Sequence, residues 1–193
     1  MTTTRLSPSA DAFGRSEPTP ATDFAAVTVA WSLAVLAAAF VPLQSPPVTR
    51  AALFIHVMTM AVGFGAVVMT DVYGLLWLAG RRTVAELTDL ARAAHGVILF
   101  GTGGLLASGI VLRPDLQSGL ARLKLGLVLV CMLNGAAAQR MLRRLKADLP
   151  TGVRGPSIPW AVFQRVILAA LVSQATWWGA IVIGFVTNAG RHG

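Results

Sequence analysis

Cysteine is nearly absent from this chain: the single residue, Cys131, sits inside an apolar stretch. That excludes a disulfide framework, a paired-thiol redox motif and zinc-cysteine spacing, and leaves packing as the expected role. Charge is scarce too. Only 12% of the 193 residues are Asp, Glu, Lys or Arg, while 55% are apolar and the mean hydropathy is positive. Soluble domains carry about a quarter charged residues, and a water-soluble fold cannot hide this much apolar surface.

Catalytic signatures are missing as well. There is no metalloprotease histidine pair with Glu, no nucleophile elbow, no phosphate loop and no dinucleotide fingerprint. Gly101-Thr102-Gly103-Gly104 falls within an apolar run and cannot serve as a phosphate cradle. No apolar stretch is left over to build a soluble catalytic domain, so no enzymatic activity is expected.

What the sequence does contain is five apolar runs of about 20 residues or more, the length needed to cross the hydrocarbon core. They cover 24–43, 51–80, 93–112, 123–141 and 160–186, with basic, proline-containing or aromatic flanks. The second is too long to stand upright, so it tilts or projects a turn. Pro42, Pro46 and Pro47 are read as the end of the first helix, Pro114 follows the third, and Pro150, Pro156 and Pro159 fill the loop before the fifth. Residues 1–22, rich in Thr, Ser and Pro, are expected to form a disordered tail, and 188–193 a short C-terminal tail. The first run is long and lacks a small-residue cleavage site, so it is read as an anchor rather than a signal peptide.

The net charge of +8 does not point to nucleic acid, because the basic residues lie in short runs between apolar segments rather than along one face. They act as topology signals facing the lipid bilayer. Eleven of the sixteen Lys and Arg residues fall on the side that carries the N-terminus, among them Arg81, Arg82, Arg140, Arg143 and Arg144. The expected class is therefore all-α: an integral membrane five-helix bundle of a bacterial inner membrane, N-terminus cytoplasmic and C-terminus outside.

Asp71 is the most informative polar residue. Nine residues from the inner end of the second span, it lies roughly 14 Å deep at a rise of about 1.5 Å per residue. A centred Asp costs about 2.5–3.5 kcal/mol to insert, so it should face the bundle interior. It is either a proton or cation site, or a buried acid that fixes helix packing through hydrogen bonds. The same depth calculation brings Thr102 and Asn134 within about one turn of it, as a polar layer across three helices. Glycines such as Gly63, Gly65, Gly101, Gly103 and Gly104 allow the helices to approach closely. Ser173, Gln174, Trp177 and Trp178 are placed farther toward the outside, and Trp160 in an interfacial belt. Arg165, about six residues into the fifth helix, either reaches the interface with its long side chain or pairs with Asp71.

Two histidines in membrane segments raise the possibility of haem b, since axial imidazoles on neighbouring helices hold that iron. His56 lies near the outer end of its helix and His95 near the inner end of the next, so one iron cannot take both. A Met ligand would be required. His56 with Met60, one turn away, is alternatively a soft copper site or simply an interfacial histidine. On these residues no cofactor is required.

The pattern as a whole resembles a known family. His56 opens the second helix, followed by Gly63, Gly65 and Asp71; Ser108-Gly109 closes the third; Lys124-Leu125 opens the fourth, with Asn134-Gly135 ten residues on; Ser173 precedes Trp177-Trp178. Over residues 50–187 this is similar to a family of small uncharacterised bacterial polytopic membrane proteins. More distantly, the His-initiated helix resembles the membrane part of copper-resistance proteins of the CopD type. The first resemblance implies the topology and no particular activity. The second implies copper, although the further histidines and methionines of a copper pathway are missing. The functional expectation is a small transport or permeation protein for protons or a metal cation, assembling as a homo-oligomer. The alternatives are a non-catalytic accessory subunit of a larger membrane complex, and a b-type cytochrome.

Overall fold

The computed structural model describes residues 20–189. Residues 1–19 and 190–193, which hold most of the two expected tails, lie outside the described residues. Five helices follow in order: α1 (Pro20–Phe40), α2 (Pro46–Leu78), α3 (Val84–Leu112), α4 (Gly119–Asp148) and α5 (Trp160–Ala189), with a 3-10 turn (Gly155–Ser157) before the last. All five are long and apolar enough to cross a membrane. A helix is what an apolar run must adopt in lipid, where each backbone N–H and C=O has to be satisfied within the segment.

Helix ends differ from the apolar runs in an instructive way. α1 begins at Pro20, so the last residues of the expected tail are helical. Pro46 and Pro47 do not close the first helix. They open the second, after Ser45 at the N-cap, because a helix's first turn has no partner for the N–H that proline lacks. α3 starts at Val84, well before residue 93, through a capping box in which Thr83 Oγ1 accepts from Glu86 N–H and the Glu86 carboxylate accepts from Thr83 N–H. α4 likewise continues past Met141 to Asp148. Hydropathy marks where a helix leaves lipid, not where its hydrogen bonding stops.

α2 and α3 form the tightest hairpin and α4 and α5 the second; α2 also touches α5 and α3 touches α4, closing a four-helix ring. α1 packs outside this ring against α3 and α4. Its attachment is ionic as well as apolar: Arg140 and Arg143 of α4 reach the Asp23 carboxylate at 3.1 and 3.3 Å, and the Arg140 guanidinium lies 4.0 Å from the centre of the Phe24 ring.

The α2–α3 hairpin is close because its facing residues are small. A Cβ added at Gly101 would stand 2.5 Å from Gly63 Cα, and one added at Gly104 would collide with Thr59. Gly65 and Gly103, by contrast, face open space. This is small-residue packing of the kind that lets membrane helices touch through their backbones.

The best-buried apolar cluster lies at one end of the bundle, around Trp77, Leu78, Val84, Leu87, Leu145 and Val166. Trp77 is fully buried, and its indole N–H donates to the Val153 carbonyl at 3.1 Å. The α4–α5 loop closes over this end. Val84 N–H donates to the same Val153 carbonyl at 2.9 Å and Ala85 N–H to Thr151 at 3.3 Å, satisfying the first, otherwise unpartnered donors of α3. Arg154 donates to the Gly80 carbonyl at 2.7 Å, and Gly155 lies directly on the Leu78 backbone.

Candidate functional site

Asp71 projects from α2 into the seam with α5, where the Gln174 side-chain amide donates to its Oδ2 at 2.7 Å. Ser173, buried, faces the same carboxyl. Gln174 was expected nearer the outside; the register of α5 brings it level instead, since Val166 already meets Gly74 and Phe64 meets Trp177 and Trp178 on either side of this point. Trp177 is buried beneath Phe64, whereas Trp178 is exposed and does not line an interior vestibule.

Neither of the other two residues of the expected polar layer bonds to Asp71. Asn134 spends its amide on the Ala169 carbonyl of α5 at 2.9 Å, tying α4 to α5. Thr102 is half-buried on α3 beside the Gly63–Gly101 contact and makes no hydrogen bond to the carboxyl. The polar pair is therefore α2 with α5, and not a layer through α2, α3 and α4. Arg165 is exposed, and among the described residues it forms no ion pair with Asp71.

Beside the Asp71–Gln174 pair lies a groove of about 250 Å³ lined by Val68, Val72, Leu75, Ile167, Ala170 and Leu171. Several of these side chains, including Val72, Leu75 and Leu171, are exposed, so the groove opens sideways between α2 and α5. The carboxyl is thus half-buried at the inner wall of a laterally open apolar cleft. A carboxyl held by a neutral amide, with no cationic partner in contact, retains the capacity to take up and give up a proton or a small cation.

His56 occupies the opposite end of the bundle from Trp77. Its Nδ1 lies 2.9 Å from Ser108 Oγ on α3. His95 sits thirteen residues earlier than Ser108 on the same helix, hence roughly 20 Å away at about 1.5 Å per residue. The two histidines cannot be axial ligands of one iron within a chain. Met60, one turn from His56, is half-buried. Lys124 of α4 is within electrostatic reach of the same imidazole.

Fold and site together define a multi-pass integral membrane protein whose hydrogen-bonded carboxyl lies in a seam between two spanning helices. Comparison with family profiles, with curated proteins and with solved structures finds no match to this chain. Its chemistry has to be read from its own residues.

Proposed function

We propose that the protein is a small transport or permeation protein of a bacterial inner membrane, moving protons or a metal cation with Asp71 as the exchanging group. The observation that carries this reading is the 2.7 Å contact from the neutral Gln174 amide to Asp71. Gln174 and Ser173 are both neutral partners, so they orient the carboxyl without supplying a permanent counter-charge, which leaves it able to exchange a proton or a cation. Thr102 and Asn134, on the neighbouring helices, belong neither to the exchanging pair nor to the lining of the groove beside it. The excess of basic residues on one side supports a cytoplasmic N-terminus.

The laterally open groove supports assembly as a homo-oligomer, because a second copy set against α2 and α5 would enclose the carboxyl and complete a pathway that one small bundle has little interior to provide. The same groove supports a second reading, an accessory subunit whose groove is filled by a helix of a larger complex. Purification in mild detergent separates the two: a homogeneous homo-oligomer favours the first and a stoichiometric larger partner the second.

Proteoliposomes holding the full chain provide the direct test. Proton and metal-cation fluxes are expected above those of protein-free vesicles, and Asp71→Asn, which keeps an acceptor for Gln174 but no ionisable group, is expected to remove them. Fluxes unchanged by Asp71→Asn would end the proposal.

A further inference from the structure

The groove beside the Asp71–Gln174 pair offers more than a proton uses. Its volume of about 250 Å³ is roughly that of eight water molecules at about 30 Å³ each. Apart from Asp71 and Gln174, every side chain that lines it is aliphatic, so water would find few partners there. A dehydrated metal ion takes about four or more donors, and among the described residues the carboxyl has the Gln174 and Ser173 side chains beside it. What the groove adds to the carboxyl is apolar volume around a single charge.

Contacts between α2 and α5 bound this space at both ends. Inward, Val166 is buried against Gly74, with its Cγ1 3.9 Å from where a Cβ would stand. Outward, Phe64 meets Trp178 edge to face, the ring centres 5.3 Å apart. Phe64 is one turn from Val68 and Trp178 one turn from Gln174, so the aromatic pair stands at the outer end of the groove. Between the two contacts the side is open: Val72, Leu75 and Leu171 are exposed, and at this depth in a bilayer an exposed surface meets acyl chains.

No fixed cation neutralises the carboxyl. Among the described residues no ion pair reaches Asp71, and Arg165 stands nine residues before Gln174, roughly 13 Å along α5 at about 1.5 Å per residue. A carboxylate against aliphatic walls is costly without a partner. The ligand that suits it brings one positive charge together with apolar surface of its own. A tightly hydrated ion does not meet that demand. A quaternary ammonium or phosphonium centre does, because hydrocarbon shields its charge, it needs no hydrogen-bond acceptor, it dissolves in the lipid onto which the groove opens, and aromatic faces attract it.

We propose, resting on the reading of Asp71 as a carboxyl free to exchange its partner, that the α2–α5 groove binds lipophilic organic monocations arriving from the lipid. The Asp71 carboxylate is the counter-ion, Gln174 holds the carboxylate in place, and the aliphatic wall takes the cation's substituents. A matching anion is refused, since shape alone does not satisfy the carboxylate.

The test uses the full chain in phosphatidylcholine nanodiscs, with empty discs as the partitioning control. Tetraphenylphosphonium and its near-isosteric anion tetraphenylborate are measured separately by equilibrium dialysis. Saturable binding of the cation, about one per chain above the empty discs, is expected, with none for the anion. Asp71→Asn is expected to weaken the cation by about tenfold or more, the effect of removing one partner of a partly buried charge pair, and Asp71→Glu to keep much of the binding. Leu171→Trp, at an exposed position that lines the groove, is expected to block the cation while leaving the Asp71–Gln174 pair intact; it also serves if Asp71→Asn does not fold. Absence of saturable cation binding, the result if a second copy or a partner helix fills the groove, overturns the proposal. So does binding undiminished in Asp71→Asn or in Leu171→Trp, or tetraphenylborate bound as tightly as the cation. Asp71-dependent proton or metal-cation flux in a chain that does not bind tetraphenylphosphonium sinks the groove site and spares the transport reading; Asp71-dependent binding without any flux supports the groove site and ends the transport reading.

Discussion

Gly63 and Gly101 meet backbone to backbone across the α2–α3 hairpin, and a Cβ on Gly101 would stand 2.5 Å from Gly63 Cα and 2.9 Å from the Thr59 carbonyl oxygen. Neither contact atom belongs to a flexible side chain that could swing aside. Gly101→Ala should therefore destabilise the folded bundle by about 1–3 kcal/mol, the usual cost of overpacking. Gly103→Ala, two residues on and facing open space, should be neutral. Thermal unfolding of both variants in one detergent checks the contrast, and equal midpoints would show that the hairpin is not held at this contact.

Removing the partner of Asp71 should be felt in folding as well as transport. Gln174→Leu leaves a half-buried carboxyl without its amide donor, at an expected cost of about 1–3 kcal/mol. Gln174→Glu places two acids in the seam and should cost more at neutral pH than at acidic pH, since like charges this close cannot both ionise readily. Unfolding midpoints of the two variants at both pH values decide the matter. A pH-independent Gln174→Glu would mean that the two side chains separate in the membrane.

At the far end of the bundle, Trp77→Ala removes a fully buried large aromatic together with its bond to Val153. A loss of about 3–5 kcal/mol is expected. Gly155→Val, which would force a side chain into the Leu78 backbone, should detach the same loop without touching the indole. Hydrogen exchange then has a specific signature: in both variants the amides of Val84 and Ala85 lose protection.

α1 should be separable from the rest. Arg140 is only 12% exposed where it meets Asp23, so Asp23→Ala removes a charge-assisted hydrogen bond from a largely covered guanidinium at a cost of about 1–3 kcal/mol. Faster proteolysis or exchange confined to the first turns of α1, with the α2–α5 ring unchanged, is the expected result. Global unfolding would contradict the peripheral placement of this helix.

The five spans were legible because a run of apolar residues of sufficient length has few alternatives to a membrane helix. Their ends were less so. The Thr83-Val84-Ala85-Glu86 capping signature stood in the sequence, and reading it would have started α3 correctly. The polar pair was missed for a different reason. Depths counted from helix ends assume that all ends are level, but the loop around Gly155 and Pro156 folds over the end of α2, shifting α5 along its neighbour until Gln174 reaches Asp71. That offset is tertiary: no property of the fifth apolar run alone encodes it. Asn134 illustrates the same limit, since its depth was readable but its choice of the Ala169 carbonyl was not.

The contacts that Thr151, Val153, Arg154 and Gly155 make with α2 and α3 also set an order of events during synthesis. The α2–α3 hairpin can enter the bilayer by itself, yet its Trp77 end stays unlatched until the ribosome has delivered a stretch some seventy residues downstream. Nascent chains halted before Thr151 should thus be inserted but still open at that end.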